Sequence, residues 1–140
     1  MEQVSIRYIV HDVGAAIDFY VQKLGFTEEM HPAPGFAMLT RGALRLLLSS
    51  PGGLDVTGAP GAGGRALADG TLPKPGGWNR FSLQVSDLAA EVARLRAAGV
   101  AFRNDVVVGI GVKAALLEDP SGNPVELFEA RLPEAAHKQL

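Results

Sequence analysis

The sequence predicts an α+β protein made of two βαβββ modules that form a cupped, mixed sheet. Three observations lead there. A strand–Asp–helix–Gly unit occurs twice, with its aspartates at Asp12 and Asp87. Three strand-like segments follow each copy. A Gly- and Pro-rich stretch, residues 49–78, separates the two. Repetition at a fixed offset is the mark of a duplicated supersecondary unit.

The first copy begins with "SIRYIV", from Ser5, and alternates as a strand does. Asp12 is a helix N-cap, because its carboxylate accepts the free N–H groups of a first turn. Ile17, Tyr20, Val21 and Leu24 recur at helical spacing, and Gly25 suits the left-handed residue after a helix end. Strands are expected at about 25–30, 36–40 and 43–49. The second copy runs from Arg80 through Asp87 to Gly99, with Leu88, Val92, Leu95 and Ala98 as its helical stripe. Its strands are expected at about 100–108, 112–118 and 124–129. "TRGAL" around Gly42 and "DPSGN" around Gly122 supply the turns. Module one thus covers residues 1–50, a linker 51–77 and module two 78–130, together one domain. Residues 131–140 form a frayed or weakly helical tail. By composition, residues 49–78 form a long mobile loop, and loops of that length inside compact domains are usually functional, here as a lid.

Composition narrows the function. The chain has 140 residues, 47% hydrophobic and 20% charged, with a formal net charge of −2. No polybasic run calls for nucleic acid or an anionic membrane. No cysteine is present, which removes disulfides, thiolate metal sites and cysteine nucleophiles. The N-terminus lacks the pattern of a signal peptide, and apolar runs are too short to span a bilayer. A soluble, cytoplasmic protein is the expectation.

Strand parity divides the faces. Ile6, Tyr8 and Val10 form one apolar set, as do Phe81, Leu83 and Val85; these pack on the helices. Ser5 and Arg7, and Arg80, Ser82 and Gln84, fall on the other face with Glu126 and Phe128, which alternate with Val125 and Leu127. A sheet face carrying such groups is either solvated or the lining of a ligand cup.

The doubled unit, the helix "DVGAAIDFYVQKLGF" and the ending "LLEDPSGNPVELFE" resemble the vicinal oxygen chelate superfamily, which includes glyoxalase I, extradiol dioxygenases, fosfomycin-resistance enzymes and bleomycin-binding proteins. The resemblance spans about residues 4–129. It implies the glyoxalase/bleomycin-resistance fold, with cups usually completed in a homodimer or a pseudo-dimeric chain. It also implies, in metal-dependent members, a His or Gln in the first strand of each module and a Glu in the last. Such ligands hold a divalent ion that polarises two neighbouring substrate oxygens. Carried over by position, these places fall at Ser5, near Arg45, at Arg80 and at Glu126. Only Glu126 is a competent ligand: arginine has no free lone pair and serine is a poor transition-metal ligand. His11, His31 and His137 sit at a strand end, in "MHPAPG" and in the tail, places where histidines are usually surface residues. No metal or other cofactor is therefore expected.

Two readings of function follow. In the first, the protein is a metal-free binder of a small molecule, lined by Phe36, Met38, Trp78 and Phe128 with Ser5, Arg7, Arg45, Arg80, Ser82, Gln84 and Glu126. Arg80 pairs with Glu126 in place of the missing cation, because a guanidinium fork matches a carboxylate. In the second, the protein is a lyase, isomerase or dioxygenase with an altered site, and Glu126 is its general base. A homodimer is expected in either case, since small cupped modules leave sheet edges that pairing would cover.

Overall fold

A computed structural model of the protein describes residues 2–55 and 57–131. The tail beyond Arg131, with His137, lies outside the described residues. The chain divides into two compact units, residues 1–76 with 120–123, and residues 77–119 with 124–140.

In the first unit, β1 (Ser5–Ile9) leads through α1 (Val13–Leu24) to β2 (Thr27–Ala33), β3 (Phe36–Arg41) and β4 (Leu44–Ser49). The sheet order is β1-β4-β3-β2, with β1 parallel to β4 and the other pairs antiparallel. Asp12 caps the helix, accepting from the Ala15 N–H at 3.0 Å, and Gly25 closes it at φ 71°. Tyr8, Val10, Ala16, Ile17, Tyr20, Leu24, Leu46 and Leu48 are buried and form the core of this unit. Tyr20 meets Phe26 edge to face at 5.3 Å, within the range such ring pairs prefer.

The second unit repeats the plan with β5 (Ser82–Gln84), α2 (Leu88–Ala97), β6 (Val107–Gly109), β7 (Val112–Glu118) and β8 (Pro124–Ala130). The order is β5-β8-β7-β6, again with the first strand parallel to the last. Asp87 caps α2 through the Ala90 N–H at 3.0 Å, and the Leu88 N–H donates to Glu129 Oε1 at 2.9 Å. The expected duplication of a βαβββ module is the observed fold.

Three segments differ from expectation. Residues 100–108 are not one strand. Phe102 bridges Leu117 alone, and regular pairing begins only at Val107. The cause is Asn104, whose Oδ1 accepts the Leu116 N–H at 2.9 Å where a strand would offer its own carbonyl. The strand expected at 25–30 runs instead over 27–33, with register shifts at Met30 and beyond. It is an edge strand, which is where proline is tolerated, so Pro32 lies inside it. Of the stripe residues, Val21 is half-buried and Ala98 is exposed, just past the end of α2.

The segment after β4 is tied down rather than loose. Ser50 N–H donates to the Gly35 carbonyl at 3.1 Å, Gly52 to Gly64 at 2.7 Å and Gly61 to Gly53 at 2.8 Å. Glycine is what permits this. A Cβ on Gly35 would sit 2.6 Å from Gly53 Cα, and one on Gly64 would collide with the Ser50 carbonyl oxygen. The result is a strap of backbone laid on backbone.

Gly64→Ala should therefore destabilise the protein by about 1–3 kcal/mol, the usual cost of overpacking. Gly14→Ala, within α1 and meeting only Asp12 Oδ1 at 3.4 Å, should stabilise it by about 0.5–1 kcal/mol. Urea unfolding of both variants checks the contrast; a neutral Gly64→Ala would mean the strap is not close-packed.

Candidate functional site

The register of β8 settles where Glu126 points. Val125 and Leu127 are buried, and Glu126 pairs across to Ser82 on one side and Leu116 on the other. Glu126 thus projects from the face opposite the helix packing. Both of its oxygens are engaged. Arg80 Nε donates to Oε1 at 2.9 Å and Ser82 Oγ to Oε2 at 2.9 Å. Arg80 also donates from a terminal nitrogen to the Trp78 carbonyl at 3.2 Å. The side chains are 34% exposed for Arg80 and 19% for Glu126, so water screens the pair only partly.

Around this cluster, Gln84 is exposed and neighbours Phe128, which is buried. Trp78 is 69% exposed, with the Arg103 guanidinium over its ring at 5.0 Å. Arg103 in turn donates to Glu118 at 2.9 Å and to the Gly77 carbonyl at 2.8 Å. Trp78 thus offers ring surface to solvent rather than filling a core, and one of its faces is taken.

The first unit displays its candidates differently. Ser5 pairs with Arg45 in parallel register and is exposed. Arg45 turns to Gln3 Oε1 and to Met38 Sδ, the latter at 3.0 Å. Arg7 and Phe36 instead line a pocket of about 270 Å³ between the strand ends and the strap. Ser49 and Asp55 also line it, and neither was singled out from the sequence. A signal for Ser49 existed: it shares parity with Arg45 and Leu47 on β4. Asp55 had none, because its place depends on how the strap folds. Its Oδ1 accepts from Thr57 Oγ1 at 2.6 Å and from the backbone of Thr57 and Ala59. The Thr57 hydroxyl leads those bonds in holding the Asp55 carboxyl below the usual carboxylate range.

The residues do not suit a divalent ion. Of the four positions that the resemblance assigns to metal ligands, three carry Ser5, Arg45 and Arg80. The fourth, Glu126, has its oxygens committed to Arg80 and Ser82. Among the described residues, no group of three His, Cys, Asp or Glu side chains converges. His11 and His31 are exposed, and the His11 backbone N–H donates to Ser121 Oγ at 2.8 Å.

Comparison with known proteins agrees with the architecture. Residues 3–127 match the family described as Glyoxalase/Bleomycin resistance protein/Dioxygenase superfamily. No curated protein matches the chain. A superfamily member from Sphaerobacter thermophilus shares 27% identity at TM-score 0.68, covering 92% of this chain and 97% of that one. A lactoylglutathione lyase from Agrobacterium tumefaciens shares 21% identity at TM-score 0.66, covering 93% and 94%. An antibiotic binding protein from a Streptomyces species shares 24% identity at TM-score 0.62, covering 93% and 96%. At those identities the last two share the fold.

If Arg80 and Glu126 chiefly neutralise each other, removing one should cost more than removing both. Arg80→Met should lose about 1–3 kcal/mol by stripping a charged hydrogen bond from a half-buried carboxylate. Arg80→Met with Glu126→Leu should come within about 1 kcal/mol of the parent. Chemical denaturation decides it; a double variant weaker than the single one would contradict a self-neutralising pair.

Proposed function

This chain belongs to the Glyoxalase/Bleomycin resistance protein/Dioxygenase superfamily, and we propose that it works there as a metal-free binder of a small organic molecule. The observation that carries this reading is the closed state of Glu126. In the position where metal-dependent relatives use a carboxylate on an ion, this one accepts from Arg80 and Ser82 with both oxygens. The Arg80 guanidinium, a fixed positive charge 2.9 Å from the carboxylate, occupies the side where an ion would sit and opposes a divalent cation there. What remains is a helix-free sheet face with a few polar groups and apolar neighbours, the usual make-up of a ligand site.

The antibiotic binding protein of the same fold favours a binder. The lyase of the same fold keeps a second reading in play, in which Glu126 is the general base of a lyase, isomerase or dioxygenase reaction. For that reading the substrate proton must reach a lone pair that Arg80 and Ser82 leave free on Glu126. We take residues 1–130 as one functional domain acting in the cytoplasm, with neither nucleic acid nor membrane as partner. No helix among the described residues is long and apolar enough to cross a membrane.

A ligand screen by native mass spectrometry, paired with elemental analysis, tests the proposal. The expected result is a small molecule retained by the folded protein, unchanged after chelation, with no stoichiometric Zn, Fe, Mn or Ni. About one ion per chain, lost in Glu126→Gln, would overturn it. Turnover of the retained molecule, abolished in Glu126→Gln without loss of binding, would establish the enzyme reading instead.

We also propose a homodimer. The edge strand β6 carries Val107 and Val108, and Ile110 follows it, all exposed, on a sheet edge with unpaired backbone. Light scattering at micromolar concentration should give twice the 14.7 kDa chain mass; a monomer there would contradict the proposal.

A further inference from the structure

We propose that the pocket beneath the strap is a site for a small monocarboxylate with a compact apolar body, anchored by Arg7 and Ser49. The inference rests on the reading of the protein as a small-molecule binder and names the chemistry of one site.

Two unsatisfied donors meet there. Ser49 is 1% exposed, yet its Oγ has no hydrogen-bond partner among the described residues. Buried hydroxyls nearly always find a partner, so an orphan on a residue that lines a cavity points to a missing acceptor. Arg7 lines the same pocket and makes no hydrogen bond or ion pair among the described residues. Its guanidinium offers several N–H donors in one plane and accepts nothing. The two groups lie side by side against Gly63. A Cβ placed on Gly63 would collide with Ser49 Oγ and would lie 3.0 Å from Arg7 Nε and 3.2 Å from its Cζ. A carboxylate in the pocket would give one oxygen to the hydroxyl and the other to the guanidinium. Gly63 lets the strap lie close to both groups, because a side chain there would force one of them to shift.

The remainder of the lining sets the body of the ligand. Phe36, Pro32 and Leu54 provide apolar surface. The volume, about 270 Å³, lies just under the range of about 300–1,000 Å³ common for drug-sized ligands. One ring or a short branched chain fits that description. Asp55 is the other charged group in the lining, and its Oδ1 is spent on Thr57 and Ala59 in holding the strap. Its charge opposes a second negative group on the ligand, which selects monoanions over dianions.

Isothermal titration of the full chain with benzoate, benzamide and phthalate tests the proposal. Benzoate should saturate, with benzamide and phthalate at least tenfold weaker. Arg7→Met removes an exposed side chain with no polar partner among the described residues, so it should fold as the parent does and bind benzoate at least tenfold less tightly. Ser49→Ala should raise the melting temperature, because it deletes an unsatisfied buried hydroxyl, and still weaken benzoate at least fivefold. A purely structural Ser49 would give the higher melting temperature with unchanged affinity. That result, or no saturation by benzoate, or equal affinity for benzamide, would overturn the proposal. If a molecule from the native screen binds equally to the parent, Arg7→Met and Ser49→Ala, the site assignment falls while the binder reading stands. If nothing binds at all, both fall.

Discussion

The parallel register between the first and last strand of each module is the constraint on which the rest depends. In the second unit it sets Ser82 beside Glu126 and Leu83 beside Leu127. A slip of one residue would turn Glu126 into the face now filled by Val125 and Leu127, both essentially inaccessible to water. Burying an unpaired carboxylate there is prohibitive, so hydrophobic packing against α2 fixes the register and the register fixes the site. Leu83 and Phe81 enforce the same parity on the partner strand. The polar cluster is therefore a by-product of how the apolar face packs, and it holds only because every second residue obeys.

The first unit has the same pairing but displays other chemistry. Ser5 stands beside Arg45 where Ser82 stands beside Glu126. With no carboxylate at that place, Arg45 turns to Gln3 and Met38. Arg7, two residues along, has no ion pair among the described residues, and the strap lies against it. The divergence between the modules lies in what each strand end shows to its surroundings, while caps, turns and core stay alike. Gly25 and Gly99 both adopt positive φ after their helices, and Asp12 and Asp87 both cap the first turn. One module ends with its polar groups satisfied among themselves. The other ends with Arg7 and the Ser49 hydroxyl, which have no partner among the described residues, and that is the more direct indication of a ligand.

Much of this was legible in the sequence. Asp12 and Asp87 announced the helices because capping is a local event, settled within one turn. Parity along "VELFE" was enough to place Glu126 and Arg80 on one face, since the side-chain period of a strand is fixed. What escaped was non-local. Asn104 replaces a ladder carbonyl with its side chain, and nothing in "AFRND" says which backbone it will meet. Gly53, Gly61 and Gly64 read as flexibility by composition, whereas they serve close approach of one backbone to another. Asp55 became part of a pocket lining only through that approach. Trp78 is 69% exposed with the Arg103 guanidinium over one face, a partner that the sequence around it does not announce.

The central claim is that this member of its superfamily holds a small molecule through protein donors alone. A crystal structure of the protein with its ligand, with anomalous data across the edges of first-row metals, tests it most directly. The account predicts ligand density between Arg7, Ser49 and Phe36, no anomalous peak at Glu126, and Arg80 and Ser82 still bonded to its two oxygens. A metal peak on Glu126 with Arg80 displaced, or a ligand seated on the helical face, would contradict it.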